Sequence, residues 1–409
     1  MYSLLLAVIY LAFISLGLPD SLLGAAWPTM YIEFGVPVSY AGAVSVIIAL
    51  GTVLSALFGD RLIGRLGTGR VTAFSVALTA AAMLGFSLSG AYWQLCFWAV
   101  PYGLGAGCVD AALNNYVALH YKSRHMNLLH CMWGLGASIG PYIMGWALSG
   151  GSWNAGYRTI AIFQAALSAV LFLSLPLWKR PAGGAGEEAP AEAVPKRELL
   201  RLPGAKAILV AFLCYQAVEN TVGIWASSYL VLHRGLAEAE AAKLASLFYI
   251  GITAGRGLCG FVNLRLSDDG MIRLGQGVVL VGLALLFIPG SSLALYLGLG
   301  LVGLGCAPIY PSIIHSTPEH FGASRSQSMI GLEMACAYVG TTAAPPLFGL
   351  IANHLSIALF PAYLLAFLAL MFVCHELLVK RAGAAKMICQ TKSNRKIARS
   401  PRDPEGNGS

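Results

Sequence analysis

Apolar runs of about twenty residues follow one another along almost the whole chain, and this constrains its fold more than any other feature. A helix needs roughly 20 apolar residues to cross the hydrocarbon of a bilayer. Inside that layer only helices and closed barrels satisfy their own backbone polar groups. Barrel strands would alternate polar and apolar residues, and these runs do not. Charged residues are 11% of the chain against 57% hydrophobic ones, whereas soluble domains carry about 25% charged residues. The sequence therefore predicts an all-α protein of the lipid bilayer. One long hydrophilic passage precedes the C-terminal tail, residues 179–206, reading KRPAGGAGEEAPAEAVPKRELLRLPGAK. It is rich in Pro, Gly and charge and has no apolar period with which to order itself, so it reads as a linker.

Twelve spans are expected, near residues 3–32, 38–60, 70–90, 92–118, 127–149, 157–178, 206–232, 240–263, 270–289, 292–315, 325–352 and 356–378. They divide into an N-terminal six-helix bundle (1–178), a linker (179–205), a C-terminal six-helix bundle (206–378) and a basic tail expected to be disordered (379–409). Of the 26 Lys and Arg residues, all but Arg158, Arg234 and Lys243 fall on or near one side of these spans. The positive-inside rule places that side, with the linker and both termini, in the cytoplasm of a cell inner membrane. The net charge of +8 is thus accounted for without nucleic acid. The first apolar stretch runs to about Tyr31 with no cationic region before it, so a cleaved signal peptide is not expected. The nine cysteines include no CxxC pair and read as small packing hydrophobes rather than a disulfide or metal framework. No GxxxxGK[ST] occurs, so nucleotide-driven work is not expected, nor any cofactor.

The halves repeat each other weakly, at offsets near 200 residues. Gly103-Leu104-Gly105 recurs as Gly303-Leu304-Gly305, Pro141 and Gly145 as Pro345 and Gly349, and Asp20 has a counterpart in Glu219. A parallel duplication of six-span units is what a two-bundle transporter needs, with its site between the bundles.

Charge within the bilayer costs a few kcal/mol per residue even on insertion scales. The ionisable residues at membrane depth are therefore a short list of functional candidates: Asp20, Asp110, His130, Glu219, Arg256, Glu333 and His315. Pro19 should kink the first span beside Asp20. Asp110 and Asn114 are four apart and share a helix face with Gly103 and Gly107. His130 and Trp133 share a face of span 5, and Tyr215, Gln216, Glu219 and Gly223 align on span 7. Each has a plainer reading, in which a carboxylate pairs with a neighbour, an aromatic packs, and Arg256 snorkels. Taken together with Asn115, Trp225 and Tyr310, they form the polar lining a sugar would use: hydroxyls want carboxylates and amides, and C–H faces stack on rings. A carboxyl in a low-dielectric site favours its neutral form, so Asp20, Asp110 and Glu219 are the expected proton-coupling groups.

The 6+6 layout and the segment Asp60-Arg61…Gly64-Arg65 after span 2 resemble the major facilitator superfamily. That segment is a degenerate GxxxDRxGRR signature, with Ala56 in place of the first Gly and Gly64 displaced by one. The resemblance implies a cytoplasmic charge lock, with Asp60, Arg61 and Arg65 as gating residues. Three pieces are similar to the fucose permease group: Leu18-Pro19-Asp20-Ser21-Leu22; Gly103-Leu104-Gly105 through Asp110 to Asn114; and Asn127-Leu128-Leu129-His130. Span 7 (Tyr215, Glu219, Gly223, Trp225, Tyr229-Leu230) also resembles related sugar permeases. The chain departs from that group in carrying Asp110 where it has a glutamate and Asn114-Asn115 where it has Asn-Pro. Gly136, Gly140-Pro141 and Gly145 partly match the Gly-Pro motif of proton-driven drug antiporters; close packing of spans 5 and 8 is the plainer reading.

The expected activity is secondary active transport by alternating access, as proton-coupled import of a monosaccharide or similar solute by a monomer. The rival within transport is proton-driven efflux of amphipathic compounds. A membrane transferase is disfavoured, since Asp268-Asp269 in a short loop is the one acidic doublet that could hold a metal-bound diphosphate.

Overall fold

The computed structural model of the protein describes residues 2–121, 123–178, 196–262 and 265–398. Among the described residues every regular element is helical. The first span is two helices, α1 (Tyr2–Asp20) and α2 (Leu22–Glu33). With α3 (Tyr40–Leu66), α4 (Thr68–Ser87), α5 (Tyr92–His120), α6 (Ser123–Ser149) and α7 (Trp153–Leu173) it makes the N-terminal bundle. A single turn, α8 (Lys196–Leu199), precedes the C-terminal bundle. That bundle is α9 (Ala205–Leu232), α10 (Glu238–Val262), α11 (Asp268–Leu286), α12 (Ser292–Phe321), α13 (Ala323–Ile351) and α14 (Phe360–Ala398). Nine stretches of the described residues are long and apolar enough to cross a membrane, and the last, Ser328–Arg381, runs over both α13 and α14. Twelve were expected. The helices α6 and α10 fall short because they pack on each other along the seam between bundles and can therefore be less apolar.

The duplicated glycines explain the packing within each bundle. A Cβ at Gly103 on α5 would overlap the Ile48 carbonyl of α3, and one at Gly303 on α12 would overlap the Phe248 carbonyl of α10. Gly105 abuts α4 at Ser75 and Thr79 as Gly305 abuts α11 at Gly275 and Val279. Small residues let backbones approach closely where the hydrophobic effect gives helices no reason to associate. The expected close packing of spans 5 and 8 is present as α6 on α10, but the Gly-Pro stretch serves it only in part. Gly136 and Gly140 lie against α1 at Ile14 and Leu18, and Gly145 alone meets α10, at Ala239 and Lys243.

The seam between the bundles is closed at the end away from the linker. There a Cβ on Gly24 (α2) would overlap the Gly223 carbonyl (α9), Gly42 (α3) touches Pro346 (α13), and Gly145 touches Lys243. Toward the linker, α5 has no close-packed partner in the other bundle among the described residues, and Asp110 near that end is exposed. The cleft therefore opens on the linker side.

At that same end the C-terminal bundle is tied by carboxylates. Asp269 on α11 takes His320 of α12 at 3.3 Å and His375 of α14 at 3.2 Å. Arg273 bonds Glu376 at 2.6 and 3.1 Å. His315, a membrane-depth candidate on sequence, has an 83% exposed side chain and pairs with Asp268 at 2.7 Å. The acidic doublet is thus engaged by histidines. The tail also differs from expectation: α14 continues to Ala398, because the Ala- and Lys-rich sequence after the last span is made of good helix formers. The linker over 179–195 lies outside the described residues.

Gly303→Val should overpack the α10–α12 contact by about 1–3 kcal/mol or more. A clear drop in thermal midpoint of the purified protein, against no change for Gly300→Val, where a Cβ meets open space, would check it.

Candidate functional site

Everything at the site follows from the break in the first span. Pro19 has no N–H to give the carbonyl four residues back. That carbonyl, of Ser15, takes a bond from the Gln164 side chain of α7 at 2.8 Å instead. The helix stops at Asp20 and restarts at Leu22, where Ala25 N donates to the Ser21 carbonyl at 3.3 Å. The break turns the Asp20 carboxylate out of the bundle into a central cavity of about 230 Å³.

The carboxylate is exposed to that cavity yet held on both oxygens. The Tyr102 hydroxyl of α5 donates to Oδ1 at 2.5 Å, and the Trp133 indole N–H of α6 donates to Oδ2 at 2.8 Å. The far face of the Trp133 ring carries the Arg256 guanidinium of α10, 5.2 Å from the ring centroid. That is cation–π range. Trp133 therefore touches an acid of one bundle with its edge and a cation of the other with its face.

The rest of the wall is polar and comes from both bundles. Ser45 and Thr52 of α3 stand on one side. On the other are Glu219, Asn220 and Gly223 of α9, Tyr249 of α10, and Tyr338, Thr341 and Pro345 of α13. Asn220 is fixed by its bonds to Thr341 Oγ1 at 3.2 Å and to the Gln216 carbonyl at 3.0 Å. Such an arrangement can hold a small polyhydroxylated or cationic molecule between two carboxylates, an amide and several rings. Among the described residues no cluster of His, Cys, Asp and Glu is able to hold a metal ion.

Of the residues expected on sequence, the structure brings Asp20, Trp133 and Glu219 into one cavity. Asp110 and Asn114 bond each other at 2.9 Å on the linker side of it. The others are elsewhere. Trp225 is fully buried and donates to the Pro345 carbonyl at 2.8 Å, tying α9 to α13. His130 meets Phe13 edge to face, at 5.9 Å between ring centroids. The Gln216 side chain faces Asn220 at 3.4 Å, and Tyr310 faces Met334 Sδ at 3.4 Å. Glu333 is fully buried between α12 and α13. Arg61 lies over the Phe58 ring at 5.9 Å, and Arg65 is exposed. The side chains of Asp60 and Asn115 lie outside the described residues. Sequence reasoning missed Asn220, Tyr102, Tyr249 and the row Tyr338, Thr341, Pro345. The last has i, i+3, i+7 spacing, a helix-face signal that was available.

A cavity between two duplicated six-helix bundles, lined by both and closed at one end, is the arrangement of a solute transporter. A family profile described as Major Facilitator Superfamily matches residues 9–268 and again 208–387, and the chain belongs to that superfamily. It is a transporter and not an enzyme. The chain is 24% identical over 391 residues to "Bypass of stop codon protein 6" of Saccharomyces cerevisiae, covering 85% of this chain and 77% of that protein. It is also 24% identical over 386 residues to "Sodium-dependent glucose transporter 1A" of Mus musculus, covering 84% and 89%. The solved structure of the nucleoside transporter NupG superposes with a TM-score of 0.76 at 14% identity, covering 91% of this chain and 98% of that one.

Trp133→Phe keeps a ring beneath Arg256 and deletes the donor to Asp20. A hydrogen bond to a charged group contributes about 1.5–3 kcal/mol, and solvent in the cavity replaces part of it. Solute affinity should therefore fall about tenfold while the thermal midpoint stays within a few degrees of wild type, measured by binding and unfolding on the same preparation.

Proposed function

We propose that this transporter carries a monosaccharide or similar small polyol into the cell together with a proton, exposing the central cavity to the two sides of an inner membrane in turn. The observation that carries the reading is the setting of Asp20. Its oxygens are met by two uncharged donors, one from α5 and one from α6, so it can take up a proton without breaking an ion pair. Beside it stand the amide, hydroxyls and rings that sugar hydroxyls and C–H faces require. The cavity volume of about 230 Å³ lies below the roughly 300–1,000 Å³ of clefts that take drug-sized ligands. A relative named as a glucose transporter supports the same solute class.

In this reading Asp20 and Glu219 hold solute and proton, and Asn220 supplies the amide first assigned to Gln216. Asp110, with Asn114, passes the proton toward the linker side, taken as the cytoplasm. The structure then represents the inward-open state of a monomer. Asp60, Arg61 and Arg65, at the linker end of α3, would lock the inner side when it closes. A second reading, export of small organic cations, is favoured by one observation: among the described residues, two carboxylates and no basic residue line the cavity.

Adding sugars in turn to lightly buffered, de-energised cells that express the protein should raise the external pH with one of them. Asp20→Asn should abolish that signal while leaving exchange of labelled for unlabelled solute measurable. Uptake should also fall as the external pH is raised and the proton gradient vanishes. A signal that requires added sodium would replace the proton as the coupling ion. Silence across the panel from protein confirmed in the membrane, with extrusion of a small fluorescent cation, would select the export reading.

A further inference from the structure

Glu333 takes no part in the transport reading, because it does not reach the cavity. It lies ten residues into α13, about 15 Å along the axis at 1.5 Å per residue, and is 0% exposed. Its surroundings are sparse. The Thr317 hydroxyl of α12 stands 3.0 Å from one carboxyl oxygen and 2.9 Å from the other. The same hydroxyl stands 3.0 Å from the Ile313 carbonyl. Among the described residues no Lys, Arg or His comes within ion-pair distance of Glu333. The nearest ionisable group on its own helix is the Cys336 thiol, three residues on.

Three oxygens here compete for one hydroxyl hydrogen. An ionised carboxylate would be left dry with at most a single neutral donor, whereas buried carboxylates need two or three donors or a cation. One added hydrogen resolves the conflict. The carboxyl O–H then donates to Thr317 Oγ1, and the Thr317 O–H donates to the Ile313 carbonyl. We propose that Glu333 is a proton-binding site of the C-terminal bundle, protonated in this conformation and separate from the cavity carboxylates.

The local backbone provides a route for releasing that proton. Thr317 is followed by Pro318, and Pro308 and Pro311 lie earlier in the same helix. Pro318 offers no N–H to the Ile314 carbonyl, so the last turns of α12 lack a rung and bend most readily there. Gly322, at φ +89, then joins α12 to α13. Moving the end of α12 away from α13 removes the carboxyl's acceptor and admits water. The change reaches the cavity wall, because Met334 beside Glu333 takes the Tyr310 hydroxyl and Tyr338, further along α13, lines the cavity.

Infrared spectra of the purified full chain in lipid test the assignment through the C=O stretch of protonated carboxyl groups. This readout depends neither on the solute carried nor on proton coupling at Asp20. At neutral pH a band present in wild type should be absent in Glu333→Gln and retained in Asp20→Asn. Thr317→Val, which leaves Glu333 in place but removes its acceptor, should move that band to higher wavenumber. Superimposable carboxyl regions in wild type and Glu333→Gln, or a band indifferent to Thr317→Val, would overturn the proposal.

Discussion

The bond from Gln164 to the Ser15 carbonyl is the interaction on which the site depends. In hydrocarbon a freed carbonyl has no water to turn to, and each one left unmet costs several kcal/mol. Pro19 frees such a carbonyl, and without a donor from α7 the first span would not tolerate its break. Because the donor is there, α1 can end at Asp20 and α2 can restart two residues later. The carboxylate then faces the cavity instead of a neighbouring helix. Placing a charge at membrane depth is thus a backbone problem first. The uncharged donors on Asp20 come second, and they hold it without cancelling its charge with a cation.

Much of this was legible in the sequence. Apolar run lengths set the spans, and the Pro-Asp pair marked the break. The paired glycines marked the contacts of α5 and α12 because close backbone approach demands the absence of a Cβ wherever the repeat recurs. Selection among polar residues was not legible. His130 and Trp133 share a face of α6, yet one packs on Phe13 while the other meets Asp20, a difference set by the rotation of α6 against α1. Trp225 looked like a sugar platform and instead ties two helices, because an indole N–H satisfied by a carbonyl is equally at home in a core. Asn220 was passed over beside Glu219 because adjacent helical residues point about 100° apart, and only the second bundle's position shows that both reach the cavity.

The two ends of the molecule are held by different physics. Linker-side contacts of the C-terminal bundle join polar side chains between helices of one bundle: Asp269 with two histidines, Arg273 with Glu376. They keep α11, α12 and α14 together while the seam beside them stands open. The distal contacts run between bundles, and several close on a glycine: Gly24 on the Gly223 carbonyl, Gly42 on Pro346 and Gly145 on Lys243. The asymmetry fits a molecule whose halves stay intact while the seam between them opens and shuts.

That distal seam has a further consequence. Where one partner is glycine, that side of the contact has no side-chain rotamers to freeze, so closing it adds little entropic cost there. The attraction is dispersion, which loses a quarter to a half of its depth over roughly 0.5–1 Å of separation. A barrier made this way has almost no intermediate opening: it is in contact or it is gone. The end away from the linker is therefore built as a latch rather than a hinge: a small separation of the two bundles there removes most of the attraction that holds them.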